Sequence, residues 1–186
     1  MTGIIILVVV IVLIVWLISV YNNLVRMRNN RENAFANIDV QLKQRFDLIP
    51  QLVASVKGYA THEKEVFLQV TQARTATANA QSIDDKIKAD NLLTSALQGL
   101  KVTLEAYPEL KANQNFLQLQ SEISDIENKL AAARRFFNSA TREYNNSVET
   151  FPGNIVAGFF KFHREGMYEI PEQQRANLEK APEIKF

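Results

Sequence analysis

Between Gly3 and Asn22 the chain has no charged side chain, no proline and no glycine. As a helix, the eighteen residues from Ile4 to Tyr21 would reach roughly 27 Å at about 1.5 Å per residue, close to the hydrocarbon thickness of a bilayer. Such a run must be buried on all sides or left in lipid. Core helices usually carry apolar runs of about 10–14 residues, so this one is too long for a core. A cleavable signal peptide has Lys or Arg before its apolar run and a small-x-small site after it. Met1-Thr2-Gly3 has no basic side chain, and Ser19-Val20-Tyr21-Asn22-Asn23 offers no A-x-A pattern. The sequence therefore predicts an uncleaved transmembrane helix over residues 4–21, from Ile4 through Trp16 to Tyr21, behind a short tail of residues 1–3.

The flanks set its orientation. Arg26, Arg28 and Arg31 follow the span against a single Glu32, and short flanks rich in Lys or Arg stay in the cytoplasm. The tail is expected outside and everything after Tyr21 inside. Tyr21 suits the membrane interface; Arg26 and Arg28 either reach anionic headgroups or lie on a solvated helix face. With no cysteine, a lipoprotein anchor, a disulfide framework and a thiol-ligated metal site are excluded. Lys plus Arg number 21 against 20 Asp plus Glu, so no overall field attracts nucleic acid.

The rest of the chain reads as helix. Phe116, Leu119, Ile123, Ile126, Leu130, Ala133, Phe137, Ala140, Tyr144 and Val148 recur at steps of three and four, a coiled-coil-like heptad seam from about Asn115 to Thr150. Asn113 or Asn115 can cap it, and Pro152-Gly153 ends it. A second stripe runs through Phe35, Ile38, Leu42, Phe46, Ile49, Val53, Val56 and Ala60. Nothing between Gly3 and Pro50 breaks a helix, so span and stripe can form one rod of 46 residues, roughly 70 Å long, with a kink expected at Pro50. Gly58 and Thr61 suggest a stop and a restart, with Thr61 as cap before His62-Glu63. Further helices are expected through Val66 to Ala80 and, opened by Ser82 with Asp84 and Asp85, through Ile87 to Leu104. Short turns such as Ala106-Tyr107-Pro108-Glu109 favour an all-α fold, with the transmembrane helix continuing into an antiparallel bundle of about four long helices. The bundle is assigned residues 22–152, and residues 153–186 a C-terminal segment packing on it.

Catalysis has little to stand on. His62 and His163 lack any H-E-x-x-H spacing, and a bundle di-metal centre needs inward Glu-x-x-His pairs. Acidic residues sit beside Lys, as in Glu63-Lys64-Glu65 and Asp84-Asp85-Lys86, the pattern of a solvated face. No phosphate loop or dinucleotide fingerprint is present. The expectation is a non-enzymatic protein with no catalytic residue, metal or cofactor.

Two clusters stay open. Asp39, Gln41, Arg45 and Asp47 interleave with the first stripe, and Arg134, Arg135, Asn138, Arg142 and Asn145 with the last. Either all lie in water at the seam edges, or they form a partly buried ion-pair network between the helices. After Pro152-Gly153 come Ile155, Val156, Phe159, Phe160 and Phe162, a dense apolar patch. It is expected to fold back as core; the alternative is an exposed contact with lipid or another subunit.

Several stretches carry a resemblance: Ile38 to Val53 with Arg45, Asp47 and Pro50; Val56-Lys57-Gly58-Tyr59-Ala60 with His62-Glu63; Tyr107-Pro108-Glu109-Leu110-Lys111-Ala112-Asn113 with Phe116; Ala133-Arg134-Arg135-Phe136-Phe137-Asn138; Tyr144-Asn145; and Phe151-Pro152. Together they resemble the LemA family over nearly the whole chain. Gln44, Phe137 and Thr141 depart from the usual Arg, Tyr and Val. The resemblance implies a bacterial inner-membrane protein with its small N-terminus outside and a helical bundle inside. It also implies association with membrane organisation and often with membrane proteases, and it supplies no catalytic residues. Two functions follow. One is a scaffold that self-associates as a homo-oligomer and organises the lipid bilayer or inner-membrane proteins. The other is an adaptor for a membrane protease or transporter.

Overall fold

A computed structural model describes residues 1–60 and 63–169, the side chain of Lys111 excepted. The helices are α1 (Thr2–Lys57), α2 (Lys64–Asn79), α3 (Ile83–Leu104), α4 (Gln114–Glu149) and α5 (Gly153–Phe160), with a 3-10 turn over Pro108–Ala112. Among the described residues there is no strand. The fold is all-α, and its first helix is long and apolar enough to cross a membrane.

Every side chain from Ile4 to Ile18 is exposed, which no core helix tolerates. The span then continues without a break into α1's packing faces. Pro50 removes one backbone donor, yet α1 carries on to Lys57. Pro50 lies on the exposed side, while Ile49, Leu52 and Val56 are buried around it, so core contacts on both sides offset the lost bond. The Val56 carbonyl accepts from the N–H groups of Tyr59 and Ala60 at 2.9 and 3.1 Å, closing the helix. Thr61 and His62, expected to restart it, lie outside the described residues.

The other ends are capped as their residue types dictate. The Ser82 hydroxyl accepts the Asp85 N–H at 3.1 Å and donates to the Asp85 carboxylate at 2.6 Å, opening α3 with two acids in its first turn. Of the two candidates for α4, Asn113 is the cap: its side-chain oxygen accepts the Phe116 N–H at 3.2 Å.

The residues group into two compact units. One comprises Met1–Ile38 and Ala132–Met167; the other comprises Asp39–Ala131 with Tyr168 and Glu169. In the second unit, Ile49, Leu52, Val56, Val70, Leu93, Leu100, Leu110 and Phe116 share one apolar core, and α2 packs on α3. In the first, Phe35 meets Phe137 edge-on at 5.5 Å. Gly153 opens α5 so close to the end of α4 that a Cβ there would stand 2.0 Å from the Ser147 carbonyl oxygen. Only glycine fits that approach.

The α4 seam lies where its period puts it. Phe116, Ile126, Leu130, Phe137, Ala140 and Tyr144 are buried, and Leu119, Ile123, Ala133 and Val148 are half-buried. Thr141 is also fully buried, and its hydroxyl has no hydrogen-bond partner among the described residues. Thr141→Val keeps the shape and removes the unsatisfied group, so it should stabilise the protein by about 1 kcal/mol. A denaturant midpoint that stays put or falls would contradict that assignment.

Candidate functional site

The polar centre of the second unit is Arg45. It projects from the apolar stripe of α1, one step from Leu42 and one from Ile49, and is 1% exposed. Its Nη1 donates to Asp90 Oδ1 at 2.8 Å and to Thr94 Oγ1 at 2.9 Å, both on α3. Nη2 donates to Glu127 Oε1 on α4 at 3.2 Å. Asp90 is wholly buried, and its second oxygen accepts the Tyr168 hydroxyl. One guanidinium thereby ties three helices together while one carboxylate has both oxygens occupied. The Arg45–Asp90 pair is shut from water, whereas Glu127 reaches it from a half-exposed position, so the pair's chemistry is recognition within the fold.

The other polar residues of the two stripes fare differently. Asp39 accepts from Lys86 Nζ at 2.7 Å, a second link from α1 to α3. Asp47 is exposed and pairs with Lys43 one turn away at 2.7 Å. Arg134 is half-buried and Arg135 exposed, both in the first unit. The buried pairing thus centres on Arg45 and Asp90. Sequence pattern alone does not single out Asp90, although it occupies a seam position of α3 between Ile87 and Leu93. An acid in an apolar stripe was the available signal.

In the first unit the polar contacts hold the extended segment after α5. Asn145 donates to the Glu165 carbonyl and accepts the Glu165 N–H, each at 2.9 Å, as a strand backbone would. Arg31 is 4% exposed. It pairs with Glu165 at 3.2 Å, donates to the Gly166 carbonyl at 3.3 Å and lies 5.0 Å over the Phe137 ring. Arg31 is therefore a packed structural cation, whereas Arg26 and Arg28 are exposed. Burial pushes the Tyr144 phenol above its ordinary pKa, with the Glu165 carboxylate adding to the shift and Arg28 and Arg31 opposing it. In the second unit the Tyr107 phenol is also raised, first by its hydrogen bond to the Glu63 carboxylate.

The aromatic patch corrects one expectation. Val156 and Ala157 are buried with Leu24, and Phe162 packs beside Val20 and Tyr21. Ile155, Phe159 and Phe160 stay exposed, Phe159 at 81%. A helix of eight residues turns one side inward, and these three do not share that side fully. The patch is core at Val156 and surface at Phe159.

The LemA family model matches residues 34–186. The chain belongs to the LemA family. Protein LemA of Metamycoplasma hominis is 28% identical over 160 residues, covering 85% of this chain and 73% of that protein. Magnetosome protein MamQ 2 of Paramagnetospirillum magneticum is 22% identical over 181 residues, 83% of this chain and 66% of its own length. Magnetosome protein MamQ of Magnetospirillum gryphiswaldense is similar at 22% over 178 residues, 81% of this chain and 65% of that protein. The match to the LemA model begins at Ala34, beyond the apolar run. With a lipid-length helix of wholly exposed apolar side chains ahead of it, this LemA chain is a membrane-associated protein.

Proposed function

We propose that this LemA chain is a non-enzymatic, membrane-anchored scaffold. It self-associates and organises membrane or membrane proteins at the cytoplasmic face of a bacterial inner membrane. The observation that supports this most is α1. One unbroken helix supplies the lipid-length segment, the Leu24–Ile38 packing of the first unit and the Ile49–Val56 packing of the second. Such a helix couples an anchor to packed surfaces. The Arg45 cluster is consistent with this, because its best hydrogen bonds are spent on fixing helices and are closed to a substrate. The relatives are named for the family or for the magnetosome, none for a reaction.

The test is the size of the full-length protein in mild detergent, followed by crosslinking in cells. A particle of several protomers, with crosslinks mainly between copies, supports the scaffold. A single protomer bound stoichiometrically to a protease or transporter would replace it with the adaptor reading. The orientation is tested separately. A reporter active only outside the cytoplasm, fused after Phe186, should stay silent.

A further inference from the structure

Among the described residues nothing covers the outward face of α5, which carries large apolar side chains as the inward one does. Around the helix, Gly153, Val156 and Ala157 turn in, whereas Ile155 and Phe159, four residues apart on one side, turn out at 62% and 81% exposure. Phe151, just before the helix, is 76% exposed. Water is a poor solvent for so dense a patch.

Its position says what covers it. The inward face packs against Leu24, Val20 and Tyr21, where the apolar run of α1 ends. Phe160 lies 4.7 Å from the Tyr21 ring, and Phe159 lies 5.0 Å from Phe160. A continuous row of aromatic rings therefore leads from the end of the lipid-length segment out to the exposed face. Lys161 stops the helix in the left-handed conformation, φ 58°. The Phe162 N–H then reaches back to the Ala157 carbonyl at 2.9 Å, which returns Phe162 to within 5.8 Å of Tyr21. That turn holds α5 against the membrane exit of α1.

We propose that α5 is an interfacial membrane-docking helix. Phe151, Ile155 and Phe159 insert into the leaflet that α1 leaves, to a depth of roughly 5–10 Å. Lys161 and Arg26, both exposed on the same unit, lie at the height of the headgroups. The partner is a lipid surface, and the inference rests on the reading that residues 4–21 span the bilayer. The second contact fixes the first unit to the membrane plane, which a single span leaves free to rotate.

The chain's lack of cysteine makes the test direct. Full-length Ile155→Cys, Phe159→Cys, Val15→Cys and Val102→Cys variants are spin-labelled and reconstituted in phosphatidylethanolamine–phosphatidylglycerol vesicles. Collisions with oxygen, which enters lipid, are compared with those of a polar nickel chelate present on both sides. The labels at 155 and 159 should lose nickel collisions and gain oxygen collisions, as at Val15, while Val102, 70% exposed in the second unit, stays nickel-accessible. If 155 and 159 behave like Val102 while Val15 is lipid-buried, the docking helix is wrong and the span stands. If Val15 is also nickel-accessible, both fall. If 155 and 159 are shielded but show dipolar broadening that unlabelled protein removes, a second copy covers the face and the lipid assignment is overturned.

Discussion

Asp90→Ala should destabilise the protein by about 3–5 kcal/mol, because it leaves the Arg45 guanidinium buried without its main counter-charge. Asp90 and Arg45 are 0% and 1% exposed, so water cannot step in, and among the described residues Arg45 keeps the Thr94 hydroxyl and, as its counter-charge, Glu127, half in solvent. The Tyr168 hydroxyl loses its acceptor as well. Denaturant unfolding of the full-length protein in detergent reads this as a lower midpoint. Replacing both charges, Arg45→Met with Asp90→Leu, should recover much of the loss, since a buried pair exchanged for apolar side chains of similar volume is often neutral or better. Equal losses for the single and double variants would mean that the pair is not coupled as its 2.8 Å separation implies.

Leu130→Asp should cost about 4 kcal/mol or more, the sum of a large-to-small core change and an unpaired carboxylate left in an apolar site. Leu130 is 1% exposed at the middle of the α4 seam. Its neighbour Lys129 is on the solvated face, paired with Asp125 at 3.4 Å, so Lys129→Asp should shift the melt little. Far-UV circular dichroism melts of the two variants separate seam from surface. An unchanged cooperative melt for Leu130→Asp would overturn the seam.

Both predictions also mark how far the sequence is legible. The lipid-length run, the α1 stripe, the Ser82 cap and the α4 seam all rest on local periodicity and side-chain chemistry, and each lies in the structure where its pattern points. The partner of Arg45 does not, because Asp90 and Tyr168 are 45 and 78 residues distant from their respective partners. Only packing decides which buried acid meets which buried base. Arg31 shows the same limit. Its position after the span reads as part of the basic flank that sets orientation, yet a carboxylate 134 residues away takes it into the fold. Phe159 fails for another reason. Apolar composition predicts burial, but a helix held by Val156 and Ala157 cannot bury its opposite side.

The apolar start of α1 is expected to hold this LemA protein in the bilayer while the rest of that helix builds the units beyond it. Alkaline carbonate extraction of membranes checks this, using the full chain beside a chain lacking residues 2–20. The full chain should stay in the pellet at its original length, since a spanning helix is not displaced by charge or pH, and the truncated chain should be released as folded helical protein. Release of the full chain, or a membrane-bound form that has lost its first 20 residues, would mean that α1 is not the anchor.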